Sequence, residues 1–132
     1  MIPFSKTMKP DGFIIQTRAD KPQILVRCNR NEYTRTFKPN AVSGVNLLGR
    51  QIITADCNMH GSPPPQSCDY AIITRSCSNS IKEIDSILHP RLIILHPSIR
   101  KRHEAEMLRN ADSLHVPIHS LRLSGPIQIL QH

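Results

Sequence analysis

The chain is poor in aromatic residues, with no Trp, two Tyr and three Phe among its 132 residues. A hydrophobic core must therefore rest on Ile, Leu and Val. No apolar run approaches the roughly 18–20 residues that a membrane-spanning helix needs, and the first residues lack the apolar stretch of a signal peptide. These absences predict a soluble domain, or a soluble piece of a membrane protein, with one core.

The sequence motifs of several enzyme classes are missing. There is no G-x-G-x-x-G, no P-loop, no G-x-S-x-G and no H-E-x-x-H. There is also no C-x-x-C, and four cysteines allow three pairings, so their spacing reveals neither pairing nor redox compartment. We expect no bound cofactor and no small-molecule substrate.

Cysteine and histidine offer one weak candidate for a zinc site, made of Cys57, His60, Cys68 and Cys77. Cys57-x-x-His60 has ligand-like spacing, whereas the remaining gaps fit no standard pattern. The competing interpretation is ordinary buried or disulfide-bonded cysteine. Cys77 also stands between a strand and a helix start, where the pKa of a thiol can fall, but no partner base is marked.

Positive charge is concentrated in the first part of the chain. The formal net charge is +7, and residues 1–50 carry nine Lys and Arg against three Asp and Glu. This basic third indicates an anionic partner such as nucleic acid or a membrane surface. A well-solvated surface is the competing interpretation.

Hydrophobic patterning predicts strands in the first half and a β-α-β-α-β-β order in the second. Ser80 and Glu83 form a capping box that begins a helix ending at His89-Pro90. Ser98 is expected to cap a second helix, whose inward face would be Ile99, Met107, Ala111 and Leu114. The predicted strands are residues 12–17, 23–27, 32–37, 50–55, 69–74, 91–95, 117–121 and 126–130, and residues 45–48 are predicted as a short helix.

Two apolar strands joined by a helix should lie parallel in one sheet. The sequence therefore predicts an α+β or α/β fold, with helices packed on one mixed β-sheet. We expect a single domain over residues 1–132, divided into a strand-rich basic half, 1–48, and an α/β half, 49–132.

Basic and hydroxyl side chains follow the two buried strands of the second half, and ligands bind at the carboxyl ends of such strands. Cations in the first turn of a helix oppose its dipole, and such a mismatch can mark an anion site. These residues form a candidate phosphate rim; in the competing interpretation they simply point into water. The phosphate rim comprises Arg75, Ser76, Ser78, Ser98, Arg100, Lys101 and Arg102.

A second candidate for nucleic-acid contact lies on the third predicted strand. Tyr33, Arg35 and Phe37 share one face by their spacing of two. Aromatic rings interleaved with a cation can stack on bases. Core packing of Tyr33 and Phe37 is the commoner arrangement.

Residues 49–130 carry a family resemblance. Residues 49–56 resemble a strand that ends in a Gly-Asp pair, and residues 68–73 resemble the next strand of that family. Residues 89–95 resemble its following Pro-hydrophobic strand, and residues 116–121 with 124–127 resemble its closing hairpin. On these segments the chain resembles the C-terminal soluble region of ComEC-type competence proteins, which are DNA-internalisation channels, and most closely the shortened version in Bacteroidota-type sequences.

In many members of that family this region is a metallo-β-lactamase-like domain, so the resemblance implies a truncated form of that fold. Where active members have His-His-Gly-Ser, this chain has Arg75-Ser76-Cys77-Ser78, and of the usual metal ligands only Asp56 matches. One carboxylate cannot hold a metal pair. The resemblance therefore implies a degenerate, metal-free domain that is not an enzyme.

The resemblance further implies a soluble, periplasmic domain of an inner-membrane protein, with DNA and the channel's own transmembrane part as partners. Its expected role is to contact DNA or to regulate its internalisation. Two alternatives stay open: an assembly domain that docks on the channel without binding DNA, and a hydrolase or thiol enzyme that uses Cys57, His60 or Cys77.

Overall fold

The computed structural model describes residues 12–18, 21–28, 31–37, 39–59 and 67–130. Within these ranges the chain forms two β-sheets and three helices. The elements are β1 (Gly12–Arg18), β2 (Lys21–Cys28), β3 (Asn31–Thr36), β4 (Val42–Leu47), β5 (Arg50–Ala55), β6 (Tyr70–Ile73), α1 (Ile81–Leu88), β7 (Leu92–Leu95), α2 (Lys101–Leu114), β8 (Ile118–Ser120), α3 (Leu121–Ser124) and β9 (Ile127–Leu130).

The first sheet has the strand order β3-β2-β1-β9 and is antiparallel throughout. The second has the order β4-β5-β6-β7-β8, in which β5 to β8 run parallel and β4 is antiparallel to β5. The predicted mixed α+β class and the parallel pairing of the buried strands are confirmed. The expectation of a single sheet is wrong, because the described strands divide into two.

The end of the chain also departs from the prediction of two strands in a closing hairpin. β8 stops at Ser120, whose hydroxyl accepts a hydrogen bond from the backbone N–H of Leu123 at 3.1 Å and so caps the short helix α3. After Gly125, with φ of 79°, the chain enters β9, which pairs with β1 in the other sheet. The segment therefore links the two sheets.

The prediction of a short helix at residues 45–48 is wrong, because these residues belong to β4 and to the turn that follows it. Leu48 and Gly49 both have positive φ, 55° and 73°, and Leu47 pairs with Arg50. Two consecutive positive φ values in a two-residue loop are the signature of a type I′ hairpin. A local apolar pattern of four residues does not distinguish this hairpin from a helical turn.

Side chains of the second sheet are buried on both faces. One face packs against the first sheet through Ile52, Ile72 and Ile94, which contact Phe13 and Ile15. The opposite face packs against both long helices, and its cluster includes Ile53, Ala71, Ile73, Ile93, Leu95, Ile81, Ile84, Leu88, Met107 and Ala111. The described chain is thus built in three layers, sheet on sheet on helices, as a parallel sheet requires.

The two long helices begin differently. α1 has the predicted capping box: Glu83 N donates to Ser80 Oγ at 3.2 Å, and Ser80 N donates to Glu83 Oε1 at 2.9 Å. The bond from Ser80 N, which donates to the carboxylate, is the main cause that holds the pKa of Glu83 below its ordinary value. α2 has Arg100 at its N-cap and no side-chain cap, so the prediction that Ser98 caps it is wrong.

The inward face of α2 is also partly different from the prediction. Ile99, just before the helix, is buried with Met107 and Ala111, but Leu114 is 46% exposed. Glu104 is buried on the helix in its place, with 3% exposure. Apolar spacing predicted the first three residues and could not predict a buried carboxylate.

A substitution at Phe13 tests how the first sheet packs on the second. We expect Phe13→Ala to lower the free energy of unfolding by about 3–5 kcal/mol, because the cavity opens between two packed sheets. Urea denaturation gives the value. Leu123→Ala, at a side chain that is 67% exposed, is the control and should change the free energy by less than about 0.5 kcal/mol. Equal effects of the two substitutions would mean that Phe13 is not buried.

Candidate functional site

The parallel strands β5, β6 and β7 bring their carboxyl ends to one edge of the second sheet. Three segments leave the sheet there: residues 56–59, 74–79 and 96–100. We call these segments the carboxyl edge. In an open α/β sheet this edge is where ligands bind, so its polar side chains decide what the domain can hold.

Asp56, the one residue that matches a metal ligand of the resembled family, is held by protein donors. Asn40 N donates to Asp56 Oδ2 at 2.7 Å, and the hydroxyl of Thr74 donates to Asp56 Oδ1. Both carboxylate oxygens are therefore engaged. Their role in this structure is to join the strand ends of β5 and β6 to the turn before β4.

Two asparagines connect residues 56–59 with residues 74–79. Asn58 Oδ1 accepts hydrogen bonds from Ser78 N at 2.7 Å and Ser78 Oγ at 2.8 Å. The buried amide of Asn79 accepts from Met59 N at 2.7 Å and donates to Met59 O at 3.0 Å. The hydroxyl of Ser78, a residue of the phosphate rim, is thus already hydrogen-bonded to Asn58.

Ser98 connects the segments that follow β6 and β7. Its Oγ accepts a hydrogen bond from Arg75 N at 3.0 Å and lies 2.8 Å from His96 Nδ1. Ser98 N also donates to His96 Nδ1 at 3.1 Å. Because Nδ1 accepts from the backbone N–H, the hydroxyl of Ser98 is the donor in the second contact as well. Arg75 and Ser98 lie close together, as predicted, and the side chain of Ser98 links the two segments.

Arg122, at the start of α3, fixes the segment between β7 and α2. Its Nη2 donates to Ile99 O at 2.6 Å and to Pro97 O. Its Nη1 lies 3.2 Å from Glu104 Oε2, an ion pair without hydrogen-bond alignment. Ser120 Oγ donates to the other carboxylate oxygen of Glu104 at 3.0 Å. This set explains why a carboxylate is buried on α2.

The cations of the phosphate rim face solvent. Arg75, Arg100, Lys101 and Arg102 are all exposed, and so is Ser76. Across the part of the chain that the structure describes, none of the four cations has a carboxylate partner. Arg75 and Arg100 lie on segments that the Arg75–Ser98 hydrogen bond holds together. The carboxyl edge therefore presents unpaired positive charge outward and satisfied polar groups inward.

The second candidate for base contact lies on the other sheet. Tyr33 and Arg35 belong to β3, where they pair in register with Val26 and Ile24 of β2. Their side chains are outside the described residues, as are most side chains of the basic N-terminal third. Phe37 is buried and packs between the sheets. The alternative prediction, that Phe37 is a core residue, is therefore confirmed.

The candidate zinc site is not assembled. Cys57 and Cys77 lie on the carboxyl edge, whereas Cys68 precedes β6 at the opposite end of that strand. The four residues of β6 separate the two ends by about 13 Å, and zinc ligands must all lie within about 2.3 Å of one ion. His60 lies outside the described residues, and within those residues no three His, Cys, Asp or Glu side chains form a group that could hold a metal.

The thiols of Cys68 and Cys77 are also not activated as nucleophiles. Burial raises the pKa of the Cys77 thiol, and burial raises that of Cys68 to about 11. The place of Cys77 between a strand and a helix start, which can lower the pKa of a thiol, does not lower it here. The thiol is buried in the core cluster on the helix side of the sheet, where desolvation disfavours the thiolate.

The amino-acid sequence matches a known protein family over almost its whole length. The model of the ComEC C-terminal domain matches residues 5–131. The chain belongs to the ComEC C-terminal domain family. No curated protein and no solved structure matched it. The predicted resemblance is confirmed, and it connects this ComEC C-terminal domain with competence and DNA uptake through a membrane channel. In the described part of the domain, no helix is both long and apolar enough to cross a membrane.

The ion pair of Arg122 and Glu104 can be tested by removing its cation. We expect Arg122→Ala to lower the free energy of unfolding by about 3 kcal/mol, because it leaves a buried carboxylate without compensation. Adding Glu104→Gln to that variant should restore part of the loss. Arg109→Ala, at an exposed position of α2, the helix that carries Glu104, is the control in urea denaturation. An Arg122→Ala effect no larger than that of the control would contradict the structural role.

The raised pKa of Cys68 predicts a loss of stability in alkali. The folded protein favours the neutral thiol, so the contribution is complete below the ordinary pKa of 9.0 and is lost as pH rises towards 11. Between pH 8.5 and 11 the free energy of unfolding should fall by about 2 kcal/mol more in the wild type than in Cys68→Ala. Parallel pH profiles of the two proteins would contradict this.

Proposed function

We propose that this domain is a non-catalytic part of a DNA-uptake channel and that it contacts DNA phosphates through the cations of the phosphate rim. The supporting observation is the set of four exposed cations without a carboxylate partner, on segments joined by the Arg75–Ser98 hydrogen bond. Arginine guanidinium groups pair with phosphate oxygens through two parallel hydrogen bonds. Such contacts position a DNA strand without reading its sequence.

The state of the carboxyl edge supports a role without catalysis. Metal-assisted cleavage of a phosphodiester needs several free ligands and an open coordination position. Here Asp56, Ser78 and Ser98 are bonded to neighbouring segments. We interpret the domain as a truncated metallo-β-lactamase-like fold in which hydrogen bonds within the protein have replaced the metal centre, leaving the shape and the basic surface.

The proposed setting follows from family membership. The transmembrane part of the same channel protein is the proposed physical partner, and the periplasm is the proposed side of the membrane. A domain in that place would meet incoming DNA as an extended polyanion. Attraction between exposed cations and phosphates acts over about one Debye length, roughly 8–10 Å at physiological salt, and guides the strand to the channel without specific docking.

DNA binding can be measured by fluorescence anisotropy with labelled single- and double-stranded oligonucleotides at about 50 and 200 mM salt. We expect affinity to fall steeply with salt, because each phosphate contact releases counterions. Arg100→Glu/Arg102→Glu should weaken binding at low salt by about tenfold or more and should reduce the salt slope by about two.

A matched control is available at the other end of the sheet. Arg50 is the first residue of β5, Arg91 precedes β7, and both are exposed, so Arg50→Glu/Arg91→Glu makes the same change in net charge away from the carboxyl edge. Its affinity should stay within about threefold of the wild type. Equal losses in both variants would show only the attraction of any basic protein and would favour a domain that docks on the channel without binding DNA. Metal-dependent cleavage of the oligonucleotide would contradict the absence of catalysis.

A further inference from the structure

Two of the cysteines stand at matching positions on adjacent segments of the carboxyl edge. The bonds of Asn58 with Ser78, and of Met59 with Asn79, set residues 58 and 59 beside residues 78 and 79. One residue earlier on each segment are Cys57 and Cys77. The hydrogen bond from Thr74 to Asp56 closes the other side of this pair. Cys57 and Cys77 are therefore neighbours across the two segments, and Cys57 is near enough to influence the Cys77 thiol electrostatically.

We propose that Cys57 and Cys77 form a disulfide bond under oxidising conditions, so that the segments after β5 and β6 become covalently joined. Disulfides need Cα atoms about 4.4–6.8 Å apart, and the side-chain bonds of Asn58 and Asn79 hold the two segments in contact next to the cysteine pair. Both thiols are reduced in this structure. The inference concerns a modification site and does not depend on DNA binding.

The two thiols differ in access. Cys57 is half-buried, whereas Cys77 is 1% exposed and its Sγ lies 3.4 Å from Asn79 Oδ1. Cys57 therefore meets the oxidant first. Burial raises the pKa of the Cys77 thiol, and the nearby Cys57 raises it further. The second step, in which the Cys77 thiolate attacks, is then slow at neutral pH and accelerates as pH rises.

The chemistry is thiol–disulfide exchange with a small-molecule disulfide as the oxidant. The Cys57 thiolate attacks one sulfur of the oxidant, breaks its S–S bond and releases one thiolate. The Cys77 thiolate then attacks the Cys57 sulfur of the mixed disulfide and releases the second. Two cysteine thiols are oxidised, one disulfide is reduced to two thiols, and the two cysteine protons end on the released thiols.

Cys68 serves as the internal comparison. It is buried with 3% exposure, lies before β6 at the opposite end of the strand, and has a thiol pKa of about 11. Exchange through Cys68 should be far slower than through Cys57, since both its access and its thiolate fraction are small. The pair at the carboxyl edge is thus the preferred site of oxidation among the described cysteines.

Peptide mapping after treatment with oxidised glutathione tests the proposal on the whole chain. Trypsin yields residues 51–75, which contain Cys57 and Cys68, and residues 76–82, which contain Cys77. We expect these two peptides to be linked in the wild type and in Cys68→Ala, and unlinked in Cys57→Ser. Fragmentation of the linked wild-type peptides places the bond at Cys57, even if Cys68→Ala fails to fold.

Thermal unfolding provides a second measurement. Closing the chain between Cys57 and Cys77 constrains the unfolded state, so oxidation should raise the melting temperature of the wild type by about 10 °C, reversibly with reductant. Cys57→Ser should show no such rise. A link that persists in Cys57→Ser, glutathione that remains on Cys57, or a bond from Cys77 to Cys28 would overturn the proposal.

Discussion

Burial of the second sheet on both faces is the constraint on which the rest of the domain depends. Ile72 and Ile94 face the first sheet, while Ile73 and Ile93 face the helices. Apolar side chains dominate both faces, so the polar side chains that bond one segment to another lie mainly where the strands end. Since buried polar groups must find partners, the segments at the carboxyl edge bond to one another. The burial of the sheet therefore explains why the segments at the carboxyl edge are bonded to one another.

The same constraint shapes the chemistry of the edge. The side chains of Asp56, Ser98 and Glu104 are hydrogen-bonded to other groups of the protein. The cations that follow β6 and β7 have no such partner among the described residues and remain in water. An edge of this kind offers charge to an anion without offering ligands to a metal. That combination supports the proposal that the domain holds or guides a polyanion.

Local sequence signals predicted the elements whose cause is local. Apolar runs marked β6 and β7, and Ser80 with Glu83 marked the start of α1. The sequence could not predict features that depend on distant residues. The bond between Asn79 and Met59, 20 residues apart, has no local pattern. The strand order predicted that Arg75 and Ser98 lie at one edge, but not the hydrogen bond that joins them across 23 residues. For the same reason the two sheets were predicted as one.

The central claim is that DNA meets the carboxyl edge through its unpaired cations. Backbone amide shifts in a ¹⁵N-labelled domain, followed during titration with a single-stranded oligonucleotide, test it directly. The account predicts that the largest shifts cluster at Arg75, Ser76 and residues 98–102, and that they diminish at higher salt. Shifts centred on Arg50 and Arg91 at the opposite end of the sheet, or no shifts at all, would contradict it.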